Sequence, residues 1–236
     1  MKFTGNGIDC SLESKENPAT PITIQAITAG KPTTLTIAGD EPPVLAAGDM
    51  VTFSATGSAT LDGKAYLVSS VELVPAPPPP QSDVGYSGVD TLAAGDTYTV
   101  TIGAADTTGE TLTGGTMTVI MGDVFCLKSL ERQVPAAQAI DVTTFCGAES
   151  LAGQAVPGNL KLKGFVDYAS DAYNEFRRAV TDGQRRWLRL TLPNGIGTII
   201  MQITATGFTE TFEANAAAAF DGEAVINAEP LYIIGA

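Results

Sequence analysis

Twenty-six carboxylates and no histidine decide what chemistry this 236-residue chain could carry. Without imidazole the commonest general base is missing, so Ser-His-Asp and Cys-His arrangements are excluded. Two carboxylates could still hydrolyse a glycosidic bond, one as acid and the other as base or nucleophile. The acids, however, stand where turns want them. Asp62, Asp182 and Asp221 precede glycine, while Asp40, Asp49, Asp96 and Asp123 follow one. An Asp side chain closes a turn on its own backbone and Gly supplies the positive φ, so these pairs read as turns. Cys10, Cys126 and Cys146 are odd in number, lack Cys-x-x-Cys spacing and have no histidine to complete a metal site. Each reads as a small buried hydrophobe on a strand, with a Cys10–Cys126 contact between neighbouring strands open and no disulfide expected in a reducing cytoplasm. Phosphate-loop, EF-hand and dinucleotide fingerprints are missing from the sequence. The expectation is a protein that is not an enzyme, with no catalytic, cofactor-binding or metal-ligating residues.

The elements carrying these residues are mostly strands. Thr, Val, Ile, Gly and Ala dominate and turn signals recur about every ten residues, which favours an all-β chain. One helix stands out. Ser170 can cap it, Asp171 suits its positive end, and Ala172, Tyr173, Phe176, Ala179 and Val180 recur at three- and four-residue spacing. Asp182-Gly183 ends it, so the spacing predicts an amphipathic helix over 171–182, lying on a sheet. Strands are expected at 7–14, 160–165, 187–192, 199–205, 208–213 and 224–234, with 214–220 a short helix or a tight loop. Arg177, Arg178, Arg185, Arg186 and Arg189 fall within thirteen residues. The first two complement the helix dipole; the other three lie beyond the helix and need another partner.

The formal charge of −13 argues against a protein that grips nucleic acid by its phosphates. No base occurs between Lys64 and Lys128 or after Arg189, while acids recur in both stretches, as a solubilising surface would have them. There is no run of eighteen apolar residues and no hydrophobic signal region at the start, so a soluble protein made in a cytoplasm is expected, with no membrane partner.

The order of segments between residues 124 and 207 is specific. A strand is followed by Ile140-Asp141-Val142-Thr143-Thr144, then Pro157-Gly158, an alternating strand at 160–165 and the helix. A strand holding Trp187, the turn Pro193-Asn194-Gly195 and Thr206-Gly207-Phe208 complete it. This order resembles the major tail tube proteins of long-tailed, siphovirus-type bacteriophages. The resemblance implies an all-β fold with one helix: a tail-tube-type β-sandwich flanked by an α-helix, with a small β domain inserted. It implies a structural subunit that assembles into homohexameric rings, stacked as a tube that conducts DNA during ejection. Its partners would be itself, other tail proteins at the tube ends and DNA passing without specific binding; its place would be the virion tail, after synthesis in the host cytoplasm. Relatives extend the loop corresponding to 141–157 towards the adjacent ring, which makes Asp141, Thr143, Thr144, Glu149 and Pro157 inter-ring candidates. Arg185, Arg186 and Arg189 become candidates for salt bridges between subunits, and some acids become candidates for a channel wall.

In such proteins the strand at 7–14 is soon followed by the one found here only near Val124. Residues 21–122 therefore read as an inserted, outward-facing β domain, and 1–20 with 123–236 as a discontinuous core. Strands are expected in the insert at 22–27, 33–37, 49–53, 65–73, 97–102 and 115–121. Ala46-Ala47-Gly48-Asp49 echoes Ala93-Ala94-Gly95-Asp96 by shared turn chemistry rather than duplication. The run of prolines at 75–80 suits a stiff connection or an edge blocker. The stretch 61–68 resembles small β modules fused into phage and other surface proteins. An alternative from another class is an acidic β-rich binding or adhesion module on a virion or cell surface, for which Tyr66, Tyr86 and Tyr98 are the aromatic candidates in the insert. A tube subunit assembles; a binding module stays a monomer.

Overall fold

A computed structural model describes residues 2–4, 9–15, 19–39, 45–76, 96–120, 122–124, 127–133, 139–144, 147–152, 158–193, 196–214 and 216–234. Cys126, Cys146, Pro157, Tyr86, Asn194-Gly195 and the prolines at 77–80 lie outside the described residues. The chain is mostly β with one helix. It divides into two compact units, Met1–Glu16 with Gly122–Ala236, and Asn17–Met121.

The first unit is built on a nine-stranded antiparallel sheet. Its strands are β1 (Lys2–Thr4), β2 (Asp9–Glu13), β10 (Gly122–Val124), β11 (Leu127–Gln133), β14 (Asn159–Phe165), β15 (Arg185–Leu192), β16 (Gly197–Thr211), β17 (Ala219–Ile226) and β18 (Leu231–Ile234). They follow the order β1-β11-β14-β17-β16-β15-β2-β10, with β18 beside β16. The expected strands at 199–205 and 208–213 are one long strand, β16. A register shift between Ala205 and Gly207 lets it continue while its pairing slips by a residue. Its first half pairs with β15 and β18, and its second half with β17. The expected strand at 224–234 is instead two, β17 and β18, because the chain turns at Asn227–Pro230 to reach the other half of β16. Of residues 214–220 the described ones form a loop, the second of the two expected forms, which ends where β17 begins at Ala219.

The helix α1 (Asp171–Asp182) forms as the spacing predicts. Ser170 Oγ accepts from Tyr173 N, and Gly183 takes φ +63°, a conformation a Cβ disfavours, donating to Ala179 O. Its inner face places Tyr173, Phe176 and Ala179 against Leu12, Leu160, Leu162, Leu188, Leu190, Ile203 and Phe220 of the sheet. At Gly222 of β17 a Cβ would stand 2.7 Å from Phe176 Cε1, so only glycine lets the helix approach there.

Between β11 and β14 the chain forms a separate two-stranded hairpin, β12 (Ala139–Thr144) and β13 (Gly147–Ala152). Much of the expected 141–157 loop is therefore strand, since Ile140, Val142, Thr143 and Thr144 are β-branched and favour extended backbone.

The second unit is a seven-stranded antiparallel sheet in the order β6-β5-β9-β3-β4-β8-β7. Its strands are β3 (Ile22–Thr28), β4 (Thr33–Ala38), β5 (Met50–Ser54), β6 (Ala65–Leu67), β7 (Ser70–Val74), β8 (Thr97–Ile102) and β9 (Gly115–Val119). β3 pairs with β9 through Ile22–Ile24 and with β4 through Ile24–Thr28, shifting register between Ile24 and Ala26, which bends the sheet around a core of Leu35, Ile37, Phe53, Val100, Ile102 and Met117. The expected strand at 65–73 is two, because β6 pairs with β5 while β7 pairs with β8. The echoed Asp residues hold different partners: Asp49 Oδ2 accepts from Ala46 N at 2.7 Å, whereas Asp96 Oδ1 accepts from Ala76 N at 2.8 Å.

Candidate assembly surfaces

The arginines after the helix come first. β15 alternates Arg186, Leu188 and Leu190 inward, so Arg186 is carried to the core side and is only 1 % exposed. A buried guanidinium must be paired. α1 supplies the partners, because Glu175 and Asp182, seven residues or about two turns apart, both reach Arg186 from the helix, Glu175 buried and Asp182 at its exposed end. Arg186 Nε donates to Glu175 Oε1 at 2.8 Å and Nη2 to Asp182 Oδ2 at 2.6 Å. Glu175, 3 % exposed, also accepts from Arg178 Nη1 at 2.9 Å and from Lys15 N at 3.2 Å. Where β2 ends, Glu13 Oε2 takes over as acceptor for Trp187 N at 2.9 Å. Helix, strand and N-terminal segment are thus tied through two carboxylates. Burial pushes Asp182 upward, but Gln184 N and then Arg186 outweigh it and hold the carboxyl below its ordinary value.

Arg186, expected to pair across a subunit boundary, finds its partners within the chain instead. The signal lies in the spacing: Glu175, Arg178, Asp182 and Arg186 stand at three- and four-residue intervals, a charged series that the apolar stripe does not show. Arg185 is exposed, and Arg189 Nη2 reaches Ser11 Oγ at 3.5 Å.

At the other end of the helix an aromatic group gathers. Tyr173 meets Phe220 and Phe208 edge-on with centroids at 5.4 and 5.5 Å, and Phe208 stacks on Phe220. Tyr168 Oη donates to Glu210 Oε2 at 3.2 Å, Tyr173 Oη donates to Glu210 Oε1, and Arg177 lies over the Tyr168 ring at 5.5 Å. Burial, and then the Glu210 carboxylate, push the Tyr173 phenol up. Beyond this group Phe165, Tyr168 and Phe212 are 52, 55 and 63 % exposed. Lys128 sits 5.9 Å over the Phe165 ring.

The inter-ring candidates Asp141, Thr143 and Thr144 lie in β12 and Glu149 in β13, where the register sets Asp141 opposite Ser150 and Thr143 opposite Ala148. On the solvent side of β14 and β17, Lys161 and Lys163 pair with Glu223 and Asp221 at 3.7 and 2.8 Å, so bases and acids interleave. Cys10 is buried, and burial pushes its thiol up. Among the described residues no group of three potential metal ligands occurs, and no helix is long and apolar enough to cross a membrane.

No protein-family model and no curated protein matches the chain. Solved structures overlap it in part. The tail of an empty gene transfer agent particle, computed with helical refinement in C6 symmetry, aligns at 19 % identity and TM-score 0.38 over 45 % of this chain and 81 % of that one. A chain of the virion of a native gene transfer agent particle aligns at 18 % identity and TM-score 0.37, over 45 % of this chain and 83 % of that one.

Proposed function

We propose that the chain is a structural subunit of a phage-type tail tube, assembling into stacked hexameric rings around a channel for DNA. The observation that carries this reading is the sheet of the first unit, whose edge strands take no further partner among the described residues. Among the described residues β1 and β10 end the strand order with three residues each, and β18 pairs with β16 alone. A strand edge left open is a template for another chain, and joining edges around a ring satisfies its backbone groups without any chemistry of the side chains. The segment order between residues 124 and 208, which resembles tail tube proteins, supports the same reading. Within the assembly, the 139–152 hairpin reaches the adjacent ring, exposed Arg185 and neighbouring Arg189 meet carboxylates of the next subunit, and the inserted unit decorates the outer wall. The channel wall carries more carboxylates than bases, because a basic wall would bind phosphate and slow the passage of DNA.

The test is direct. Purified protein viewed by negative stain and by sedimentation is expected to form rings and tubes. A monomer at every concentration would remove the reading in favour of a binding module. Replacing Arg185 and Arg189 with Gln should weaken assembly at least severalfold while monomer folding, read by circular dichroism, is unchanged.

A further inference from the structure

β2 is fastened differently at its middle and at its end. Over residues 9–12 its backbone pairs with β15, Leu12 opposite Leu188 and Cys10 opposite Leu190. One residue further the Glu13 side chain takes over: Oε2 accepts from Trp187 N at 2.9 Å and Oε1 meets Lys15 Nζ. Lys15 N then donates to Glu175 Oε1 of α1 at 3.2 Å. On its other side β2 pairs with β10, Glu13 opposite Gly122 and Ser11 opposite Val124.

The acceptor on the helix is held in place by its own partners. Glu175 lies buried between Arg186 and Arg178, at 2.8 and 2.9 Å, with Asp182 holding Arg186 at 2.6 Å. A carboxylate so held takes up a peptide N–H with no further ordering of its own, and its charge strengthens the bond. The place of the bond gives it a role. The first unit passes into the inserted one after Glu16 and resumes at Gly122. Both passages therefore meet at the Glu13–Gly122 end of the stem formed by β2 and β10. Opening that starts there peels the stem one cross-strand pair at a time, from Gly122 towards Val124, unless that end is tied to a third element. β15 and α1 supply the ties.

We propose that the Lys15–Glu175 and Glu13–Trp187 hydrogen bonds are a latch that keeps the β2–β10 stem closed and sets the tether of the inserted unit. Latched, the connections between the two units are 16–21 and 120–121; unlatched, the stem residues 9–15 and 122–124 are added to them. Neither bond involves β14, β16 or β17, so the opening it governs is local. The latch stands whether or not the chain builds a tube, because every group in it belongs to one copy.

Hydrogen exchange and thiol labelling of the full chain test it. Lys15→Pro removes the N–H donor and leaves Glu175 with both arginines, whereas Lys15→Ala keeps the donor and loses only the contact with Glu13. In Lys15→Pro the amides of 10–13 and 122–124 should exchange at least about tenfold faster, the loss expected for a hydrogen bond to a charged group. Alkylation of Cys10, fully buried in the closed stem and assigned by peptide mass, should accelerate in parallel. Amides of β16 and β17, and all those of Lys15→Ala, should keep wild-type rates. Glu13→Ala, which removes the acceptor of Trp187 N, should open the stem in the same way and reads the latch by a second route if the proline variant does not fold. Wild-type rates in the stem of both variants would overturn the proposal. So would equal opening in Lys15→Ala and Lys15→Pro, or acceleration spread evenly over β16 and β17.

Discussion

A single buried guanidinium sets the strongest residue-scale expectation. Arg186 cannot be hydrated where it lies, so removing a partner leaves an uncompensated charge. Glu175→Gln should lower unfolding stability by about 3–5 kcal/mol, whereas Glu175→Leu with Arg186→Met should recover most of it. Chemical denaturation of the two proteins decides, and a larger loss in the double variant would show that the pair stabilises in its own right. Asp182 gives the pH dependence. Its folded value lies below the ordinary one, so its contribution is present above the unfolded value near pH 4 and is lost as pH falls through the folded value. Asp182→Asn should therefore flatten the acid limb of the stability curve below about pH 4 and lower stability at neutral pH. An acid limb as steep as wild type would contradict the assignment.

At the scale of elements, what could be read from the sequence was what local chemistry decides. The helix was legible because its cap, its acidic first turn, its apolar stripe and its terminal Gly183 all lie within fourteen residues, 170–183. The strand breaks were not, because they depend on distant partners. β16 runs through Thr206 only because β17 accommodates a register shift there, and β6 and β7 separate only because β5 and β8 call for different directions. Arg186 is a mixed case: its spacing from Glu175, Arg178 and Asp182 stands in the sequence, and only its inward parity on β15, set by Leu188 and Leu190 facing the core, depends on the fold. Gly222 shows the reverse, a residue whose sequence context says turn, since Asp221 precedes it, but which sits mid-strand because Phe176 lies over it. Gly222→Ala should shift the helix or the ring and cost about 1–3 kcal/mol, read by thermal or urea unfolding. Gly183→Ala, whose Cβ meets nothing, should cost only about 1 kcal/mol, from backbone conformation alone.

For the molecule as a whole, the decisive fact is where the chain leaves and rejoins the first unit. β2 and β10 are hydrogen-bonded neighbours, with Glu13 opposite Gly122 and Leu12 opposite Asp123. The inserted unit is closed in the same manner, its first and last strands β3 and β9 pairing through Ile22 and Met117. Each unit has its own buried core, and the chain crosses from one antiparallel pair to another. Cross-strand partners have Cα atoms about 5 Å apart, a gap that a short turn spans. Replacing residues 17–121 with a four-residue Gly-Ser linker should therefore convert β2 and β10 into an ordinary hairpin, since loop closure favours the shorter connection. Glu13 and Lys15 remain in the shortened chain, so the ties to Trp187 and Glu175 are kept. Soluble protein with a single cooperative unfolding transition is expected, as is a separately expressed 17–121 fragment that melts cooperatively. If the inserted unit only decorates the assembly, the shortened chain should also form tubes of the same bore and smaller outer diameter in negative stain. Folded protein that forms no rings would show instead that the inserted unit joins neighbouring subunits. Aggregated protein would show that the β2–β10 pair cannot close without it.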